Sequence, residues 1–387
     1  MSDETRLIHA GKVAGALVKT VGPPIQKGST VLLPNAEALY DDANYLTYGR
    51  AGLSAQTCLQ DALAVLEGAV GVSLYPSGIA AISGAMMALL KAGDEILVVD
   101  NVYKPVRRFC DNVLKRFGVE VTYFDPAVSP ETLVGTASDN VRMILMESPG
   151  SLSFEMQDTP RIAALARERG ILTAIDNTWG AGLLFKPLAH GIDLSIQALT
   201  KYVGGHSDVF MGSAAARDPA LVRRLADGVH HMGWAVSGED AYAMLRGLRT
   251  LPLRMEKQGA NGLKIALWLR EQPEVARLLH PALPGCPGHE LWARDFSGAC
   301  GLFGFVLKPA PEAAVNAFLD ALKVFGLGFS WGGFESLAIV CDPQLKVRRH
   351  PRDYGGPLMR LHVGLEDPDD LIADLRRGLD AYARLAG

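Results

Sequence analysis

Lys201 is the first residue of this sequence whose type and place invite a chemical reading. It follows the apolar run 194–198 within Gln197-Ala198-Leu199-Thr200-Lys201-Tyr202-Val203-Gly204-Gly205-His206-Ser207-Asp208. A lysine there would lie on the floor of a cleft, the plain alternative being a chain that snorkels to the rim. Desolvation favours its neutral amine, which can condense with an aldehyde. Asp176 follows the run 171–175, where a carboxylate often does no more than cap a loop. Ser77-Gly78-Ile79 follows the run 70–74 and opens a helix, whose first backbone amides and positive dipole end can hold an anion. Each of the last two is weak when taken singly.

Together they fit one task better than three. An amine for an aldehyde, a carboxylate to keep a pyridine nitrogen protonated and a helix start for a phosphate are the requirements of pyridoxal 5'-phosphate. Tyr103, after the run 95–99, would stack its flat face on the ring. Other chemistries lack their parts: the sequence contains no GxxxxGK[ST], no GxGxxG after a strand and no HExxH. The contiguous His206-Ser207-Asp208 cannot form a catalytic triad and reads as loop. His230-His231 has no further metal ligand at a suitable spacing and reads as a helix cap or core pair, and the basic run 346–352 as a solvated loop.

The elements that must position these residues alternate. Short β-rich runs at 70–74, 95–99, 119–124, 141–146, 171–175 and 194–198 are separated by helical stretches such as 79–90 and 159–169. That order predicts an α/β fold with a mostly parallel sheet, and in such sheets ligands bind beyond the carboxyl ends of the strands. After residue 247 the pattern changes to a helix over 259–270, strands at 302–308, 336–341 and 359–365, and a closing helix over 368–385, predicting a smaller α+β domain. Three units are expected: an N-terminal extended segment 1–50, a cofactor domain 51–246 and a C-terminal domain 247–387.

Composition excludes several classes of function. With 387 residues, 49% hydrophobic content, a net charge of −4 and a pI near 6.2, the chain has ample core and no basic field for nucleic acid. The N-terminus lacks the order of a secretory signal and no apolar stretch reaches the roughly 20 residues of a membrane span. Five scattered cysteines without a CxxC pair read as reduced thiols. A cytoplasmic protein without membrane or nucleic-acid partners is expected.

At these residues the sequence resembles the Cys/Met-metabolism family of pyridoxal-phosphate enzymes. The resemblance runs from Thr5-Arg6-Leu7-Ile8-His9-Ala10-Gly11 through Tyr48-Gly49-Arg50, Ser77-Gly78, Ile175-Asp176-Asn177-Thr178-Trp179 and the Lys201 segment. Tyr103-Lys104-Pro105, Glu147-Ser148-Pro149-Gly150-Ser151, the run from Phe329 to Leu337 and the run from Met359 to Asp367 side with members that eliminate at Cβ. The resemblance implies the aspartate aminotransferase-like fold (fold type I). It implies that Lys201 carries the cofactor and moves the Cα proton, with Tyr103 and Tyr48 as further catalytic side chains. Asp176 would pair with the pyridine nitrogen, while Gly78, Ile79 and Thr200 would contact the phosphate. Tyr48 and Arg50 would reach the cofactor of a neighbouring subunit, so a homo-oligomer, a dimer of dimers, is implied. Arg360 would hold the substrate α-carboxylate, with Ser330, Trp331 and Tyr48 lining the substrate pocket. Ala198 stands where many members carry serine, so one phosphate hydrogen bond is missing or is supplied elsewhere.

The implied activity is β-elimination from an amino acid carrying sulfur at Cβ, with L-cystathionine yielding L-homocysteine, pyruvate and ammonia in methionine biosynthesis. The implied rivals are a γ-acting member of the family, whether cystathionine γ-lyase, γ-synthase or methionine γ-lyase, and a non-catalytic regulator on the same scaffold.

Overall fold

The computed structural model describes residues 2–13, 20–42 and 44–386. Its first sheet has seven strands, β1 (Gly71–Tyr75), β2 (Glu95–Val99), β3 (Glu120–Phe124), β4 (Val141–Glu147), β5 (Leu172–Asp176), β6 (Leu194–Ala198) and β7 (Gly212–Ala216). Their order is β1-β7-β6-β5-β4-β2-β3. The pairs from β3 through β6 are parallel, as βαβ crossovers require, and β7 lies antiparallel between β1 and β6. Ile96, Val98, Ile144, Ile175 and Ile196 are buried among the covering helices.

The sequence pattern missed β7, and its packing explains why. Gly212-Ser213-Ala214-Ala215-Ala216 carries no β-branched or aromatic side chain, so it shows no strand signature. The small residues serve the helix Gly78–Leu89: a Cβ on Gly212 would meet the Ser77 carbonyl oxygen at 2.3 Å. Three strand ends also fall one residue later than expected. Tyr75, Glu147 and Asp176 each close a strand instead of following it.

The second sheet contains β8 (Val275–Leu279), β9 (Leu302–Leu307), β10 (Gly326–Leu327), β11 (Leu337–Val340) and β12 (Leu358–His362) in the order β10-β11-β12-β9-β8. The sequence reading lacked β8 and β10. Helices Leu251–Arg270, Glu312–Asp320 and Pro368–Ala383 bury Ile265, Leu269, Phe318, Leu375 and Leu379 against it.

Two sequence readings are corrected. His230 and His231 are exposed in the last turn of the helix Pro219–His231, so they are not core residues. The run 346–352 is a largely exposed loop with one exception: Arg348 is buried and ion-paired to Asp100 and Glu155. All five cysteines are free thiols, and burial pushes Cys110, Cys300 and Cys341 up to about 12. Among the described residues no helix is long and apolar enough to cross a membrane, and no His/Cys/Asp/Glu group is arranged to hold a metal ion.

Candidate active site

The carboxyl ends of β4, β5 and β6, the start of the helix Gly78–Leu89 and the loop between β10 and β11 of the second sheet surround a cavity of about 460 Å³. Gly78, Ile79, Tyr103, Asp176, Thr200 and Lys201 line it from one side, and Ser330, Trp331 and Arg360 from the other. Tyr48 and Arg50 do not. Within one chain they line a separate cavity of about 480 Å³ with His230 and Trp234, where an Arg50 guanidinium nitrogen donates to the His230 carbonyl at 2.9 Å.

Asp176 is fixed by the residue two places on. Its Oδ1 accepts from the Thr178 backbone N–H at 3.0 Å and from the Thr178 hydroxyl at 2.5 Å, an Asx-turn. The same hydroxyl accepts from the Ala198 N–H at 2.9 Å and so ties β5 to β6. One Asp176 oxygen remains uncommitted. The sequence reading gave Thr178 no role, although Asp-x-Thr at a strand end is the pattern that could have shown it.

Glu147 is the second residue it missed. It is the register partner of Asp176 on the adjacent parallel strand. Its carboxylate accepts from the Tyr103 N–H at 2.8 Å and from the Ser151 hydroxyl at 2.5 Å. Burial, then the charge of Asp176, push Glu147 up to about 8. Burial raises Asp176 as well, against the hydrogen bonds of Thr178 and the attraction of Lys201. Two buried carboxylates side by side favour a shared cation, and a protonated pyridine nitrogen would supply one.

The Lys201 amine donates to the Ser330 hydroxyl at 2.7 Å and lies 5.5 Å from the centre of the Trp331 ring. Gly332 permits this approach: its φ is +82°, and a Cβ there would fall 2.8 Å from the Lys201 carbonyl carbon. Burial first, and the nearby Arg360 cation second, bring Lys201 down to about 8, while Asp176 opposes them. Arg360, on β12, donates to the carbonyls of Phe329 at 2.9 Å and Ser330 at 3.1 Å. Its Nε is buried without a partner, leaving a donor for an incoming carboxylate.

At the other end, the Ser77 hydroxyl caps the helix by accepting from the Ala80 N–H at 3.2 Å. The amides of Gly78 and Ile79, first in the helix, have no partner within it. A Cβ on Gly78 would sit 2.4 Å from that of Ala198, so only glycine lets the helix start abut β6. Thr200 lines the cavity with its hydroxyl engaged by the Met211 backbone, donating at 3.2 Å and accepting at 3.0 Å. Free amides at a helix start, a half-committed aspartate and a neutralisable lysine in one cavity fit pyridoxal 5'-phosphate.

Residues 4–380 match the family model described as Cys/Met metabolism PLP-dependent enzyme. The chain is 41% identical to the cystathionine β-lyase of Escherichia coli strain K12, covering 99% of this chain and 98% of that one. It is 44% identical to the cystathionine β-lyase of Bordetella avium over 87% of this chain and 84% of that one. The crystal structure of metB from Corynebacterium glutamicum superimposes with a TM-score of 0.91 at 30% identity, covering 98% of both chains. The fold is the α/β, fold type I architecture of pyridoxal-phosphate enzymes.

Proposed function

Since the chain belongs to the Cys/Met-metabolism family of pyridoxal-phosphate-dependent enzymes, we propose that it is a carbon–sulfur lyase that eliminates a thiol from Cβ, with L-cystathionine as substrate. The observation that carries the reading is the Lys201 amine, brought to about 8 and aimed by Ser330 into the cavity that Asp176 and Arg360 share.

When bound, pyridoxal 5'-phosphate supplies an aldehyde for amines and an electron-poor ring that accepts the charge left when a proton leaves Cα. Lys201 would hold it covalently, Asp176 would sit at its ring nitrogen, Tyr103 over its face, and the amides of Gly78 and Ile79 at its phosphate. Thr200 would reach the phosphate through its backbone, since its hydroxyl is committed. Arg360 orients the substrate by its α-carboxylate, a task suited to a fork with a free Nε. Lys201, as a neutral amine, would also take the Cα proton. The sulfur substituent then leaves as a thiolate that takes up a proton, and for L-cystathionine the products are homocysteine and 2-aminoacrylate, which water hydrolyses to pyruvate and ammonia.

The assembly belongs to this reading. Leu32 and Tyr40 in the N-terminal segment are 93% and 94% exposed, and Phe210 and Phe329 at the cavity rim are 74% exposed. Apolar surface of this kind marks an interaction face. A second copy of the chain would cover both and deliver Tyr48 and Arg50 to the cavity, in a cytoplasmic dimer of dimers. The division into 1–50, 51–246 and 247–387 follows from the same picture, with the first unit lying on the neighbour.

Incubation with L-cystathionine tests the proposal. Pyruvate with homocysteine is the expected result; 2-oxobutyrate with cysteine would assign elimination to Cγ and overturn it.

A further inference from the structure

The wall of the cavity formed by residues 149–154 has an unusual backbone. Leu152 and Phe154 hold φ values of +68° and +57°, a region that bulky side chains avoid and that persists only where the surroundings impose it. Both line the cavity. The Phe154 ring lies 3.1 Å from where a Cβ on Gly304 would stand, and Gly304 is the β9 register partner of Arg360. This wall therefore borders the substrate side of the cavity, away from the helix start that fits the phosphate.

The wall is held by bonds within its own turn and by arginines of the segment 348–352. The Phe154 N–H donates to the Gly150 carbonyl, and the Gly150 N–H to that of Glu155, each at 3.0 Å. Glu155 accepts from the Ser153 hydroxyl and from Arg348, each at 2.6 Å. Arg348 also donates to the Ser153 hydroxyl at 3.3 Å and lies 3.7 Å from Asp100. Asp100, at the end of β2, accepts the backbone N–H groups of Arg349 at 2.9 Å and His350 at 2.7 Å. Arg352 pairs with Asp125 and Glu155, and Arg107 with Asp100. Three guanidinium groups thus meet three carboxylates, and the charges balance at the domain junction. Breaking one member leaves an uncompensated charge, so this cluster can enforce a backbone conformation that its own residues disfavour.

We infer that Arg348 is a specificity-determining positioning residue: by bridging Asp100 and Glu155 it fixes the wall at Leu152 and Phe154, and the wall sets which sulfur substituents the cavity accepts. The inference rests on the lyase reading for its choice of substrates. Leu152 and Phe154 line the same cavity as Ser330, Trp331 and Arg360, so a long sulfur substituent would have more surface to set against the wall than a bare thiol.

The test compares the holoenzyme with its Glu155→Gln and Arg348→Lys variants. Amide hydrogen exchange over 150–155 and steady-state kinetics with L-cysteine and L-cystathionine are measured together. Exchange at Ser153 and Phe154 should quicken roughly tenfold and KM for L-cystathionine should rise by a similar factor, while KM for L-cysteine stays within about twofold. Unchanged exchange, or equal shifts of KM for both amino acids, would overturn the inference. Should Arg348→Lys fail to fold, Glu155→Gln carries the test, since Arg348 keeps Asp100 as its partner. Failure of the wild-type enzyme to eliminate at Cβ would sink the lyase reading instead, and the exchange result would still decide whether the clamp holds the wall.

Discussion

The Lys201 amine and the Ser330 hydroxyl, 129 positions apart in sequence, meet at 2.7 Å between the segment that follows β6 of the first sheet and the loop that precedes β11 of the second. Lys201 follows the last strand of the cofactor-side parallel array, while Ser330 belongs to the loop that Arg360 grips through the Phe329 and Ser330 carbonyls. The group proposed to move the proton and the group proposed to hold the carboxylate are thereby linked through one loop.

Replacing Ser330 with alanine removes the acceptor and frees the amine to rotate. A neutral hydrogen bond contributes about 0.5–1.5 kcal/mol net, so kcat should fall by a factor of about 3–10 with KM little changed. Steady-state kinetics at matched cofactor content would check this, and an unaltered kcat would mean that the contact does not orient the amine.

The ionisation of Lys201 has a definite sign. Burial and Arg360 both disfavour the ammonium form, which is why it stands near 8 instead of 10.5. In the cofactor-free protein, labelling of Lys201 by trinitrobenzenesulfonate should therefore rise with pH through about 8. Arg360→Gln removes one of the two causes and should move that midpoint upward. A downward movement would contradict the assigned cause.

Glu147 ties stability to pH. Its pKa is raised from 4.5 to about 8 in the folded protein, so the folded state binds a proton that the unfolded chain releases. The stability this provides is complete below 4.5 and is lost as pH rises through about 8. Denaturant midpoints of the cofactor-free protein should fall across that window. Glu147→Gln, which cannot ionise, should flatten the fall, and an identical slope in the variant would count against the assignment.

Gly78→Ala places a methyl group 2.4 Å from the Ala198 side chain. Overpacking of this kind costs about 1–3 kcal/mol, and here it would push the helix start away from β6 and weaken cofactor binding. Gly135→Ala is the control, because a Cβ there meets nothing within 4 Å. Thermal melts and cofactor titration of both variants would separate the two cases, and equal behaviour would dismiss the close approach at Gly78.

Much of this was legible in the chain. The runs 95–99 and 194–198 coincide with β2 and β6: Ile96 to Val99 show the continuous apolar run of a strand covered on both faces, while β6 keeps Leu194 and Ile196 but also buries the polar Ser195 and Gln197. The same logic placed Asp176, Lys201 and the start of the helix Gly78–Leu89 at strand ends facing one cleft. β7 was hidden because its residues were shaped by a helix packed on them, not by strand propensity. Within the run 346–352 only Arg348 was misread, because its charge suggested water, whereas Asp100 and Glu155 from distant segments supply its partners.

The sequence by itself therefore determined which residue types end the strands, since burial imposes a local period that can be read directly. Only the tertiary structure decided what state those residues adopt. The neutral tendency of Lys201, the raised Glu147 and the fixed wall at Leu152 and Phe154 all depend on groups far away in the chain. Charge and desolvation act through space over a few ångströms, and no spacing along a sequence specifies which distant side chain will occupy that distance.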